Sequence, residues 1–287
     1  MAHSHPSLDH LHKVLGGSPS KEEWTRLCRI IEGMEVDALR AARPTIEAHL
    51  ESWPMGLRTH RYETAAGWTH KPPPWWFAVA SLHLSGHCSK ANAEALARSP
   101  HLHHLTALTI HETQTDGHLG HALARSPCLQ NLTSLSLHGS KSGDVSARAL
   151  STAKPSALAH LTRLHLCAAH LTDAGAKALA QSPCLQGLTE LHLNVNNLTD
   201  AGAKALAQSP YLQGLTELHL AFNTIGSQGA RALAQSLTHL TALDVSSNLV
   251  GPRTATELAQ SHPFIKLFGG GDHKKLPRGA KPPPWAR

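Results

Sequence analysis

Three histidines, His165, His192 and His219, recur at a step of 27 residues, each between two leucines, and Glu190 and Glu217 stand two positions ahead of the last two. Imidazole nitrogen is a good zinc or copper ligand, and it also titrates just below neutrality. Cys167, two positions after His165, offers a sulfur ligand, and beside His165 and His138 it has the residue types of a nucleophile–base pair. Organised catalytic motifs are missing: the chain has no HExxH, no G-x-S-x-G, no phosphate-loop spacing and no Rossmann glycine pattern. The expectation is therefore a protein without enzymatic activity and without a cofactor. Histidine is abundant throughout, 24 residues against 26 Lys+Arg, so full protonation would carry the formal charge from +6 to +30. Self-repulsion then weakens the fold in acid.

The elements that position these residues are repeats. Residues 171–197 and 198–224 are nearly identical, both opening on LTDAGAKALAQSP and closing on LQGLTELHL plus a short turn. Aligned on a Leu-x-Leu core, the first leucines fall at Leu82, Leu108, Leu135, Leu164, Leu191, Leu218 and Leu243, and Ile265-Lys266-Leu267 reads as a short closing strand. Alternation at Leu-x-Leu predicts a very short strand with one buried face. Thr-Asp after the next turn predicts a helix N-terminus, capped by its own side-chain oxygens. The Ala-rich segment Ala174–Gln181 predicts a short helix, which Ser182-Pro183 ends. No single unit of this size can bury its own apolar face, so the units must stack.

The pattern LxxLxLxxN-x-L-x-x-x-G-x-x-x-L, over roughly residues 79–262, resembles leucine-rich repeat proteins of the ribonuclease-inhibitor-like subtype, including bacterial members. The resemblance implies an α/β fold, a curved solenoid with parallel strands on the concave face and helices on the convex face; the cores above make about seven repeats, and the segment ahead of them is expected to form a small helical N-terminal cap. The motif's asparagine is present at Asn196, Asn223 and Asn248 and replaced by His87, Thr113, Ser140 and Ala169. In the family that asparagine bonds the backbone between layers, so the first four repeats are expected to be looser or differently turned. The family binds many unrelated partners, and the fold alone names none of them.

On such a sheet the position at the centre of each core faces outward: His83, Thr109, Ser136, His165, His192, His219 and Asp244. The position two before supplies Arg163, Glu190, Glu217 and Ala242, and the position two after supplies His111, His138, Cys167, Asn194, Ala221 and Ser246. Three readings compete for this surface. It is a protein-binding face, with Val195 and Phe222 as exposed apolar contacts; or a metal site; or a by-product of repeat duplication. The first is preferred, with Arg163, His165, Cys167, Glu190, His192, Asn194, Val195, Glu217, His219, Phe222 and Asp244 as the candidate contacts. No metal is assigned, because donors in a straight column suit a tetrahedral ion poorly. A histidine-dependent metal-binding or pH-responsive module is the alternative.

The remaining sequence divides into a flexible His-rich lead at 1–19, a helical cap with a Pro/Trp linker at 20–77, the solenoid at 78–268, and a basic Gly/Pro-rich tail at 269–287. Ser20-Lys-Glu-Glu23 is a capping box opening a helix to about Glu32, and a second helical segment from about Val36 to Ser52 is expected to be interrupted or kinked at Pro44. Five tryptophans precede the first core and read as a hydrophobic plug, while Lys-Pro-Pro-Pro-Trp at 71–75 and again at 281–285 reads as rigid linker and tail. Five widely spaced cysteines without a CxxC fit reduced thiols. No segment has the length of a signal peptide core or a membrane span, which predicts a cytoplasmic, monomeric protein. A protein partner is expected, with nucleic acid and membrane disfavoured.

Overall fold

The computed structural model describes residues 8–54, 58–62, 74–86, 88–111, 117–139, 143–153 and 158–266. Nine parallel strands form one sheet in strict chain order, and each core leucine pairs with the next through the register Leu82, Leu108, Leu135, Leu164, Leu191, Leu218, Leu243, Ile265. The strands are β1 (Thr59–Tyr62), β2 (Ser81–Ser85), β3 (Ala107–His111), β4 (Ser134–His138), β5 (Arg163–His165), β6 (Glu190–His192), β7 (Glu217–His219), β8 (Ala242–Asp244) and β9 (Ile265–Lys266). β1, one layer ahead of the first Leu-x-Leu, was not legible in the pattern, and β9 is the expected closing strand. A helix returns the chain after each strand from β2 to β8. Strands lie about 4.8 Å apart, whereas a helix with its side chains is about 10 Å wide, so the sheet takes the inside of the curve.

Before the sheet stand α1 (Leu8–Leu15), α2 (Lys21–Glu32) and α3 (Val36–Leu50). Much of the segment expected to be a flexible lead is therefore helical: Leu11, Val14 and Leu15 are buried with Trp24, Leu27, Ile46, Trp53 and Trp76 in the cap. The Ser20 hydroxyl accepts from the Glu23 amide at 3.1 Å, as the capping box predicts. α3 is not interrupted at Pro44 and runs through it with Ala42, Ile46 and Leu50 buried. Arg43 lies 4.8 Å above the Phe77 ring, tying α3 to the turn that leads into β2. Trp68, residues 71–73 of the first Lys-Pro-Pro-Pro motif and the whole of the second lie outside the described residues.

In the solenoid the convex helices are α4 (Lys90–Arg98), α5 (His118–Ala124), α6 (Gly143–Ser151), α7 (Asp173–Ala180), α8 (Asp200–Ala207), α9 (Ser227–Ser236) and α10 (Pro252–Ser261). Buried polar groups bind each layer to the next. Asn196 accepts from the Ala169 and Leu171 amides and donates to the Leu166 and Leu193 carbonyls. Asn223 accepts from Leu198 at 3.0 Å and donates to Leu193 and Leu220, and Asn248 repeats the arrangement with Ile225, Leu220 and Val245. A threonine row does similar work on the other side of each strand: Thr133, Thr162, Thr189, Thr216 and Thr241 each donate to the carbonyl of the preceding layer's threonine.

The Thr-Asp reading needs one correction. Thr172 and Thr199 cap their own helices. The aspartates serve the following layer: Asp144 accepts from the Thr172 and Gly175 amides, Asp173 from Thr199 and Gly202, and Asp200 from Gly226 and Gly229. A Cβ on Gly175, Gly202 or Gly229 would run into those carboxylates, which accounts for glycine at this motif position. The first three repeat strands are longer: β2, β3 and β4 have five residues and β5 to β8 have three, although the β5 repeat also lacks the asparagine, with Ala169 in its place. After β2 and β4, Gly86 and Gly139 make the bend with positive φ.

Asn223→Ala leaves buried backbone amides and carbonyls without partners, and a loss of about 2–4 kcal/mol is expected in urea unfolding. Asn197→Ala, at an exposed position one residue from Asn196, should stay within about 0.5 kcal/mol of wild type.

Candidate interaction surface on the sheet face

Pairing places the outward residues in rows. Arg163, Glu190, Glu217 and Ala242 are register partners, and so are Ser136, His165, His192, His219 and Asp244. The imidazoles of His165 and His192 stack with centroids 4.0 Å apart and planes 14° from parallel, and those of His192 and His219 stack at 4.2 Å and 12°. Stacking extends further than a single row. His111 and His138, in register at the ends of β3 and β4, stack at 4.8 Å, and His138 meets His165 edge-on at 6.4 Å. The result is a column of five rings across five strands. Its step from one row to the next at His138 follows from the longer β3 and β4, whose last residues still lie on the sheet.

Crowding sets the ionisation of these rings. Burial, reinforced by His111, His165 and His83, lowers the His138 pKa to about 4. Burial also lowers His165 to about 4, with Arg163 and His219 adding to it, and His192 to about 3, with its neighbouring histidines adding to it. At neutral pH these three imidazoles are uncharged, so the column is an aromatic ridge flanked by charge. Arg163, Glu190 and Glu217 line one side, and the Glu217 carboxylate lies 3.4 Å from His219 Nε2. Asp244 ends the row, one of its oxygens accepting from the Ser246 amide.

Val195 and Phe222 stand in the turns after β6 and β7, 43% and 48% exposed among a core of buried leucines. Both have φ of 58°, and Ala168 and Ser247 share this left-handed conformation one layer to either side. The region is sterically hostile to side chains with a Cβ, most of all to a β-branched one. The asparagine that follows at 196 and 223 donates to carbonyls of the turn, and the side chain before it is displayed.

Two expected contacts are corrected. Cys167 is 3% exposed, its thiol turned to the His192 carbonyl. Asn194 is 8% exposed and accepts from the Ala221 amide with its side-chain oxygen. Strands β5 and β6 end at the central histidine, so the chain turns inward where alternation predicts another outward residue. Burial also raises the Cys167 pKa to about 11, which leaves a thiol at neutral pH and removes the thiolate that a nucleophile–base pair requires. The five cysteines are free.

Four stretches of the chain, residues 157–180, 186–207, 212–234 and 236–259, match the family model for leucine-rich repeats. With the sheet and the motif positions above, they make the chain a leucine-rich repeat protein. Among solved structures it is similar to human trophoblast glycoprotein, at 22% identity and a TM-score of 0.50 over 75% of this chain and 77% of that one. An internalin from Listeria monocytogenes matches at 18% identity and a TM-score of 0.44, over 68% of this chain and 49% of its own. A protein from Bacteroides fragilis matches at 13% and 0.41, over 70% and 68%. This chain thus spans about half the length of the internalin, and the likeness is one of fold. No curated protein matches it in sequence.

Neutral histidines in the folded state make stability depend on pH with a definite sign. Their folded pKa values lie below the unfolded value near 6.5, so the unfolded chain binds more protons below that pH. Their contribution is complete above about pH 6.5 and is lost as the pH falls towards 4. Each ring should cost about 1 kcal/mol at pH 5 once solvent screening is allowed for. Replacing His138, His165 and His192 together by Gln should flatten the fall in Tm between pH 7 and pH 5. Equal falls in wild type and variant would show that the rings are not held neutral.

Proposed function

We propose that this protein is an interaction scaffold or regulator that holds a protein partner against the sheet face between β5 and β8. Leucine-rich repeat solenoids in general present an extended concave surface to protein partners, which is the starting point for this chain. The observation that carries the reading is the pair Val195 and Phe222. They are exposed apolar side chains in adjacent layers, displayed on backbone that disfavours them. Glycine would relieve both turns, so neither residue is explained by folding. A partially exposed aromatic on the same face as an uncharged aromatic ridge and a charged rim has the make-up of a protein-binding centre. Arg163, His165, Glu190, His192, Glu217, His219 and Asp244 are the surrounding contacts, with Cys167 and Asn194 beneath them as support.

The fold supplies rigidity for this role. The outward side chains of β5 to β8 stand on strands paired on both sides, and Val195 and Phe222 stand in the turns that follow β6 and β7, so a partner meets a surface already ordered and the cost of ordering it on binding is small. No helix among the described residues is long and apolar enough to cross a membrane.

The test separates binding from stability. Phe222→Gly should leave the protein as stable as wild type or up to about 1 kcal/mol more stable, because glycine accepts the left-handed turn without strain. The same substitution should weaken a purified, identified partner at least tenfold by calorimetry. A variant that is stabilised yet binds as well as wild type would remove Phe222, and the surface around it, from the interface.

A further inference from the structure

The geometry points to a zinc site formed by His165, Glu190 and His192 on the neighbouring strands β5 and β6, with the fourth coordination position open to the sheet groove. One donor atom from each residue lies within 4.8 Å of the other two, and among the described residues no other group of His, Cys, Asp and Glu converges in this way. The site shares three side chains with the proposed partner surface, but it does not rest on that reading and its test needs no partner.

The objection to a straight column of donors does not apply to this trio. His165 and His192 are neighbours along the column, but Glu190 is two residues before His192 on the same strand and is the register partner of Arg163. The donors therefore form a triangle with the carboxylate to one side. Two imidazoles and one carboxylate are an established ligand set for zinc with an open position. A tetrahedral ion bound at about 2.0–2.2 Å holds its donors roughly 3.4 Å apart, so closing the triangle takes a movement of about 1 Å. Tilting the two rings out of their 4.0 Å stack supplies it through side-chain torsions, while the paired strands stay in place. All three residues are half-buried, which leaves them reachable from the groove but partly shielded from water.

Neighbouring groups explain why the site is here and not elsewhere in the column. One layer on, His192, Glu217 and His219 repeat the residue types, but the Glu217 carboxylate is turned to His219 Nε2. Cys167, a natural zinc ligand by type, is buried with its thiol on a backbone carbonyl. Arg163 is the one group that opposes a dication, standing beside both Glu190 and His165. Glu190 and Glu217 outweigh it in charge.

Zinc chloride titrated into the full-length protein at pH 7 by calorimetry tests the site. One tight equivalent with a Kd of about 1 μM or below is expected. Glu190→Gln and His192→Gln should each weaken it at least tenfold, and Arg163→Gln should tighten it. A control with His3 and His5 both changed to Gln should retain the tight equivalent, which separates the sheet from the His-rich start of the chain. The proposal is overturned if Glu190→Gln and His192→Gln bind zinc like wild type, if the control loses the tight equivalent, or if wild type binds only weaker than about 100 μM. Should a Gln variant lose its circular dichroism, wild type loaded with cobalt(II) decides: the intense visible bands of a tetrahedral ion support the site, and their absence contradicts it.

Discussion

Every layer of this solenoid has backbone groups that it cannot satisfy by itself. The turn after each short strand and the first turn of each helix point amides and carbonyls into a dry interior, where a missing partner costs free energy comparable to a lost hydrogen bond. The solution is to answer them from the adjacent layer. Asn196 reaches back to the amides of Ala169 and Leu171, and Asp173 reaches forward to those of Thr199 and Gly202. The leucine core drives the stacking, but it is non-directional. These polar rows fix the register, and with it the position of every outward side chain.

The surface chemistry follows from that register. Imidazoles with no sequence neighbour in common become a stacked column because their strands pair without slip. The same pairing crowds them enough to keep three of them neutral near pH 7. The left-handed turn ahead of Asn196 and Asn223 also explains why Val195 and Phe222 are displayed: the side chain there has no place in the core. One structural device therefore supports the layer interface on the inside and presents apolar contacts on the outside.

Much of this was legible in the residues. The repeat spacing located the strands from β2 to β9, and alternation placed His165, His192 and His219 in one row. Other features depended on geometry that spacing does not contain. β1 lacks the Leu-x-Leu pattern, and the helix at Leu8–Leu15 is marked only by Leu11, Val14 and Leu15 among many polar neighbours. Cys167 and Asn194 were placed outside because alternation was carried one step past the end of the strand. The joining of His111 and His138 to the column depends on the longer β3 and β4, whose length the Leu-x-Leu spacing does not contain. The aspartates' service to the next layer was hidden because a Thr-Asp pair also fits a local cap, and only the glycines at 175, 202 and 229 hinted at close approach.

The central claim is that the sheet face around Phe222, and not the convex helices, receives the partner. Photo-crosslinking measures this directly, with a benzophenone amino acid placed at the site of Phe222 in one sample and of Lys177, exposed on α7, in another. Irradiation in extract from the native source should give a discrete adduct from position 222 and none from position 177. An adduct from 177 with none from 222 would put the partner on the helical side and contradict the account.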